Sequence, residues 1–450
     1  MQVSVMRRKK LSFTFTIRIV TMNLRRYCTY FYCLIPLLAN AQKENPKELR
    51  WLKHEITTLS ATNMKGRGYA GKGHEKAAHY LERRFKELGL VPMVDSTYVQ
   101  RYSFPVNIFP DDMMLKMGKK ELVPGAGYII DVASRSFHAK KKWIHHVDMD
   151  RIKDTAQWEK KLRSWKSDQV HLLKNVDSFC KRMNMRSRNF ARTLPEGCYI
   201  IPQHGKLTWD VATDTMKATA FYVEDTAMPR HAWRASVSVH NVLLPEAKNV
   251  NENIIGLVPG AVDSYIVFSA HYDHLGMMGK QAMFPGASDN ASGTAMMLYL
   301  ASYFAQHPQH YTMVFMAFSG EEAGLLGSHY FVQHPMIPLE RIRFLTNLDI
   351  MGDATNGVTV VNATEFPKEF SLLQNLNSAG KYLPDVKSRG KAANSDHYHF
   401  TEAGVPSFFI YTNGGKGFYH DIFDKADTLS MTHIPALSKL LIDFAQRLNQ

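Results

Sequence analysis

Apolar and polar positions divide the chain into three zones. In the first, Ala77, Ala78, Leu81, Phe85 and Leu88 recur at three- and four-residue steps between Glu75 and Leu88. That spacing predicts a helix with one buried face, and Gly89 supplies its stop. A helical stretch around Trp51, Ile56 and Leu59 comes before it, across a turn at Gly66-Arg67-Gly68. From about Asp111 to Arg234 the pattern changes. Short β-like runs at 127–130 and 218–223 flank a basic, Trp-containing helical stretch from Trp158 to Met183. From Ser236 onward, apolar runs of strand length at 265–270, 312–318, 344–350 and 405–411 alternate with helix-like segments at 292–306, 321–333 and 433–448. This alternation predicts an α/β fold: a mixed, largely parallel central sheet with helices on both faces. The middle zone, 111–234, reads as an inserted smaller domain between a lead-in at 42–110 and a main segment at 235–450.

Polar clusters follow the apolar runs. His271-Tyr272-Asp273-His274 follows the first, Gly320-Glu321-Glu322 the second, Asp349 ends the third, and Tyr419-His420 comes shortly after the fourth. A fifth cluster, Gly286 to Gly293 with Asp289 at its centre, stands just before a helix. Ligands in such sheets collect at the carboxyl ends of strands, so all five are expected on one edge. Singly, each has a structural explanation. Asp289 can cap the helix, Glu321-Glu322 can be first-turn acids, and His271 can be a buried, hydrogen-bonded histidine. Jointly they do not, because carboxylates this close repel unless cations neutralise them. Imidazole mixed with carboxylate, without thiolate, suits zinc or a neighbouring first-row metal. Two His and three acids exceed one open tetrahedral site but suffice for two metals sharing a carboxylate.

Residues 236–450 resemble the zinc aminopeptidases of metallopeptidase family twenty-eight, whose clan includes glutamate carboxypeptidases and glutaminyl cyclases. The matching stretches are Asn253-Ile254-Ile255-Gly256, 270–276, 286–293, 318–328, Asn347-Leu348-Asp349, Ser395-Asp396-His397, Phe400, Gly404-Val405-Pro406 and Tyr419-His420, in order and at matching spacing. Residues 47–103 resemble the usual lead-in. The insertion falls where many relatives carry a protease-associated domain, which its sequence matches poorly. The resemblance implies a zinc exopeptidase fold, a peptide substrate and two zinc ions per chain. It implies that His271 and Asp349 bind one zinc, Glu322 and His420 the other, and Asp289 bridges both. Asp273 then orients the His271 ring. Glu321 acts as general base toward a metal-bridging water and hands the proton to the departing amine. A cis peptide is implied at Asp289–Asn290. His274 has no ligand counterpart in the family.

Three other functions share this scaffold. Glutaminyl cyclases tend to show Asp-Asp-His where this chain has Ser395-Asp396-His397, and Trp where it has Tyr419. Receptor members of the clan have lost metal ligands that are present here. Carboxypeptidases need an Arg patch for a terminal carboxylate, and Arg389 is the lone candidate near the motifs. The reading is therefore a metallo-aminopeptidase.

Composition adds the compartment. The net charge of +14 includes seven basic residues and no acid within the first 41 residues, so the remainder carries +7. That is a mildly basic enzyme surface rather than a nucleic-acid footprint. Arg25-Arg26, the apolar run Tyr27 to Leu38 and Ala39-Asn40-Ala41 form the three parts of an export signal, cleaved to leave no stable membrane insertion. A retained anchor is the alternative. The expected location is secreted or periplasmic. Cys180 and Cys198 remain in the mature chain, either as one disulfide or as two buried thiols.

Overall fold

The computed structural model describes residues 46–93 and 97–449. The expected export signal, 1–41, lies outside them. No helix among the described residues is long and apolar enough to cross a membrane.

A nine-stranded sheet carries the carboxyl-terminal half of the chain. Its order is Val91–Pro92, Val250–Val258, Tyr311–Phe318, Val262–His271, Ile342–Leu348, Ser407–Thr412, Val358–Val361 and Val386–Ser388, with Val99–Ser103 also pairing to Val250–Val258. The four strands from Tyr311–Phe318 to Ser407–Thr412 form a continuous parallel block. The pairings that flank this block are antiparallel, while the far edge pair Val358–Val361 and Val386–Ser388 is parallel, so the sheet is mixed with a parallel centre. The connection from Val258 to Val262 is too short for a crossover, so the chain must reverse there.

Alternate residues of Val262–His271 feed two cores. Ile266, Phe268 and Ala270 join one face, which is covered by helices Pro46–Leu59, Gly73–Glu87, Gly293–Gln306, Pro367–Gly380 and Ile434–Leu448. Val267 joins the other, under helices Leu326–Gln333 and His397–Glu402. Helices therefore cover both faces. One boundary differs from expectation. Glu321 and Glu322 do not open a helix; with Gly320, Gly324 and Leu325 all at positive φ, the chain turns first and the helix starts at Leu326.

An eight-stranded sheet is built wholly from residues 114–239. The stretch read as helical from Trp158 to Met183 is two helices, Thr155–Ser164 and Val176–Arg182, separated by strand Val170–Lys174. Val170 to Leu173 are all buried, in the middle of a parallel run, and such strands lack the alternation that distinguishes them from helix. Cys180 and Cys198 are free and buried. They belong to cores on opposite faces of this sheet, Cys198 beside Ile200 and Cys180 beside Tyr199 and Ile201, which is why they are not bridged.

Candidate active site

Parallel strands that end in register deliver their next residues to one edge. His271 is the last residue of its strand and pairs with Phe318, the last of the neighbouring strand. Asp349 stands one residue beyond Ile342–Leu348. Glu321 and Glu322 occupy the turn after Phe318. The Asp289–Asn290 peptide is cis, as the resemblance implied. Here the chain winds through a π-like turn, 287–292, directly into helix Gly293–Gln306. His420 sits on a loop at φ 54° and Ile350, beside Asp349, at φ 60°, a left-handed region that costs non-glycine residues about 1–3 kcal/mol and recurs at functional sites.

These side chains converge around Asp289. Its Oδ1 lies 3.3 Å from His271 Nε2, and its Oδ2 lies 3.2 Å from His420 Nε2. Each imidazole has a second carboxylate, Asp349 at 3.3 Å for His271 and Glu322 at 3.0 Å for His420. The groups His271–Asp289–Asp349 and His271–Glu321–Glu322 each place one donor atom per residue close enough to hold a cation. In the protein alone, burial acts against the charged form of every one of these groups. Burial lowers the two imidazoles, but the surrounding carboxylates outweigh it and hold His271 well above the ordinary range and His420 at about 12. Burial also raises Asp289 and Glu322, but the imidazoles pull Asp289 well below its ordinary value and Glu322 to about 2. Glu321 goes the other way. Burial, then Glu322, Asp349 and Asp396, raise it well above the carboxylate range against the pull of His271.

A surrounding layer holds the donors in place. His271 Nδ1 is 3.3 Å from the Asp273 carbonyl and 3.8 Å from its carboxylate, so the carbonyl is the nearer partner. The Asp273 carboxylate instead accepts from the Glu321 amide at 3.2 Å and the Tyr69 hydroxyl at 3.1 Å. Ser395 Oγ donates to Asp349 at 2.9 Å and accepts from Asn347 at 2.7 Å. The Asp424 carboxylate accepts from the amides of Ser288 and Asp289. Asp396 and His397 are fully buried behind the site, with burial raising Asp396 to about 7 and lowering His397 to about 3.

Several contributors are not evident from sequence. His274 Nδ1 is 2.7 Å from Glu322 Oε1. Arg67 crosses behind the cluster to reach the carbonyls of Tyr272, Gly286 and Asp289; the flanking glycines were its only sequence signal. Trp209, from the second sheet's segment, exchanges two bonds with His420: its amide donates to the His420 carbonyl at 2.9 Å, and its carbonyl meets His420 Nδ1 at 3.0 Å. The next residue, Asp210, forms a further potential cation-holding group with Glu322 and His420.

Fold and donor set define a class: an α/β protein with a mixed imidazole–carboxylate cluster, suited to zinc or a neighbouring metal, at the carboxyl ends of its parallel strands. Residues 253–445 match the model of peptidase family M28. Aminopeptidase YwaD of Bacillus subtilis (strain 168) is 30% identical over 202 residues, which is 42% of this chain and 43% of that protein. A probable leucine aminopeptidase of Arthroderma otae is 28% identical over 214 residues, 45% of this chain and 59% of that protein. The chain thus spans about half the length of the curated relatives it matches. Among solved structures, BSAP, a zinc aminopeptidase from Bacillus subtilis, matches with a TM-score of 0.64 at 18% identity, covering 88% of this chain and 94% of that one. The shared fold therefore extends well beyond the family region.

Proposed function

We propose that this protein is an exported two-zinc aminopeptidase that removes N-terminal residues from peptides. The observation that carries the reading is the placement of Asp289, with one carboxylate oxygen toward each imidazole and a further acid beyond each. The donors fit zinc in kind, being imidazole and carboxylate without thiolate. They fit in charge, because five buried acids (Asp273, Asp289, Glu322, Asp349 and Asp396) share this small volume and call for cations. His271, Asp289 and Asp349 would hold one ion, and Asp289, Glu322 and His420 the other. Zinc, when bound, supplies Lewis acidity toward a peptide carbonyl and toward water.

The chain's own groups do the rest. Glu321 is held by its amide bond to Asp273 and is the group this reading assigns to exchange a proton. It takes one from the attacking water and returns it to the leaving amine. Asp273 is a positioning residue, joining the Glu321 backbone, Tyr69 and the His271 loop. The names of the relatives support amine-end cleavage, and the signal-like residues 25–41 support secretion or delivery to a periplasm.

The test is hydrolysis of aminoacyl-nitroanilides and short peptides by the zinc-loaded chain, with a chelator arm and Glu321→Gln. Amine-end cleavage that chelation abolishes, and that falls by about 10²–10⁴-fold in Glu321→Gln, is the expected result. Cyclisation of N-terminal glutamine without peptide cleavage would replace this reading with a cyclase.

A further inference from the structure

The amine-end reading requires a group that recognises a free α-ammonium, and the metal donors do not identify one. We infer that Asp210, carried by the segment of the second sheet, is that group; the inference rests on the aminopeptidase reading and specifies its substrate contact. A carboxylate oxygen of Asp210 lies within 4.8 Å of donor atoms on both Glu322 and His420. The neighbouring Val211 amide occupies its Oδ1 at 2.8 Å; among the described residues no Lys or Arg forms a salt bridge with it, and the cation that acts on it is His420, which Glu322 and Asp289 already engage. A carboxylate set beside Glu322 in this way is repelled by it and favours a positive group arriving from outside.

Its position is held before any substrate arrives. Trp209 is bonded in both directions to His420. The Trp209 indole donates to the Ile130 carbonyl at 2.9 Å and stacks on Phe284 with ring centroids 4.9 Å apart. Lys206 pairs with the nearly buried Asp421 at 2.8 Å. The segment leading into Asp210 is thus fastened at Lys206 and Trp209 to the loop bearing His420, and a pre-positioned charge binds with little ordering cost. Asp210 also lines a cavity of about 1010 Å³, with Ile130, Val132, Tyr222 and Met228 among its walls. It therefore borders that cavity and also lies within 4.8 Å of donor atoms on Glu322 and His420.

A role as a metal ligand fits less well. Glu322, His420 and the shared Asp289 already supply three donors on that side. A fourth would close a tetrahedral site and leave no open position for substrate. An ammonium bound by Asp210 leaves that position free, and it gives the second sheet a direct part in deciding which end of a peptide is cut.

The experiment uses the full zinc-loaded chain and two probes, L-leucine and 4-methylpentanoate, which differ only by the amine. Binding is measured by calorimetry alongside zinc content and leucyl-nitroanilide kinetics. Wild type is expected to prefer leucine. Asp210→Asn is expected to lose about ten- to hundred-fold of that preference, to raise KM more than it lowers kcat, and to keep its zinc. The charge-keeping Asp210→Glu is expected to recover most of the preference. Loss of zinc from Asp210→Asn would make Asp210 a metal ligand and overturn the inference. So would unchanged leucine binding in Asp210→Asn beside an active wild type. A wild type inactive on every free-amine substrate would overturn the aminopeptidase reading, and this inference with it.

Discussion

Arg67 is fully buried, and each of its five N–H donors meets a carbonyl oxygen: Tyr272 through Nε, Leu59 and Pro285 through Nη1, and Gly286 and Asp289 through Nη2. Burial lowers its pKa to about 10, against the pull of Asp289 and Asp424, so it stays charged at neutral pH behind the acidic cluster. A lysine there has one nitrogen with three N–H groups and cannot reach all five carbonyls. Arg67→Lys is therefore expected to lose about 3 kcal/mol of stability through unpaired buried acceptors, seen as a lower urea midpoint. At this scale the imidazoles and carboxylates that converge around Asp289 were legible, because their residue types restrict the chemistry. Arg67 was not, because its acceptors lie up to 222 positions away.

At the scale of the element, the turn that presents Asp289 depends on Gly293. A Cβ on Gly293 would lie 2.2 Å from Asn290 Oδ1 and 2.4 Å from the Leu348 carbonyl. Asn290 is the link between this turn and the Asp349 strand, donating to the Leu348 carbonyl at 2.9 Å and accepting from the Ile350 amide at 3.1 Å. Gly293→Ala is expected to push the two apart, so that zinc per chain falls while far-UV circular dichroism stays native. The strands of the parallel block were legible because fully buried strands read as continuous apolar runs. The same signal misled at Val170–Lys174, where strand and helix share that pattern. A different signal misled at Glu321-Glu322, where acids suited to a helical first turn instead serve a turn set by neighbouring backbone conformations.

At the scale of the molecule, part of the acid sensitivity is expected to come from the second sheet. His171 is 1% exposed with neither ring nitrogen hydrogen-bonded, against Trp165 and Tyr199. Burial, then His145 and Lys161, lowers its pKa to about 4. Its folded value lies below the unfolded one, so the unfolded chain binds the proton more tightly. Stability from neutral His171 is complete above about pH 6.5 and is lost as pH falls toward 4, by up to ~3 kcal/mol. His171→Phe is expected to flatten urea midpoints over that window; an unchanged slope would place the acid sensitivity elsewhere.

The kinds of side chain at the site and the parallel core were legible locally. Strand-length apolar runs followed by acids and histidines place those groups on one edge, whatever the rest of the chain does. The closing of the site was decided only in three dimensions. Asp289 faces two imidazoles because a turn carries it there, Trp209 bonds His420 across 211 positions, and Asp210 reaches Glu322 from the other sheet. Periodicity reports which face of an element is buried, and contacts between elements so far apart in sequence leave no periodic trace.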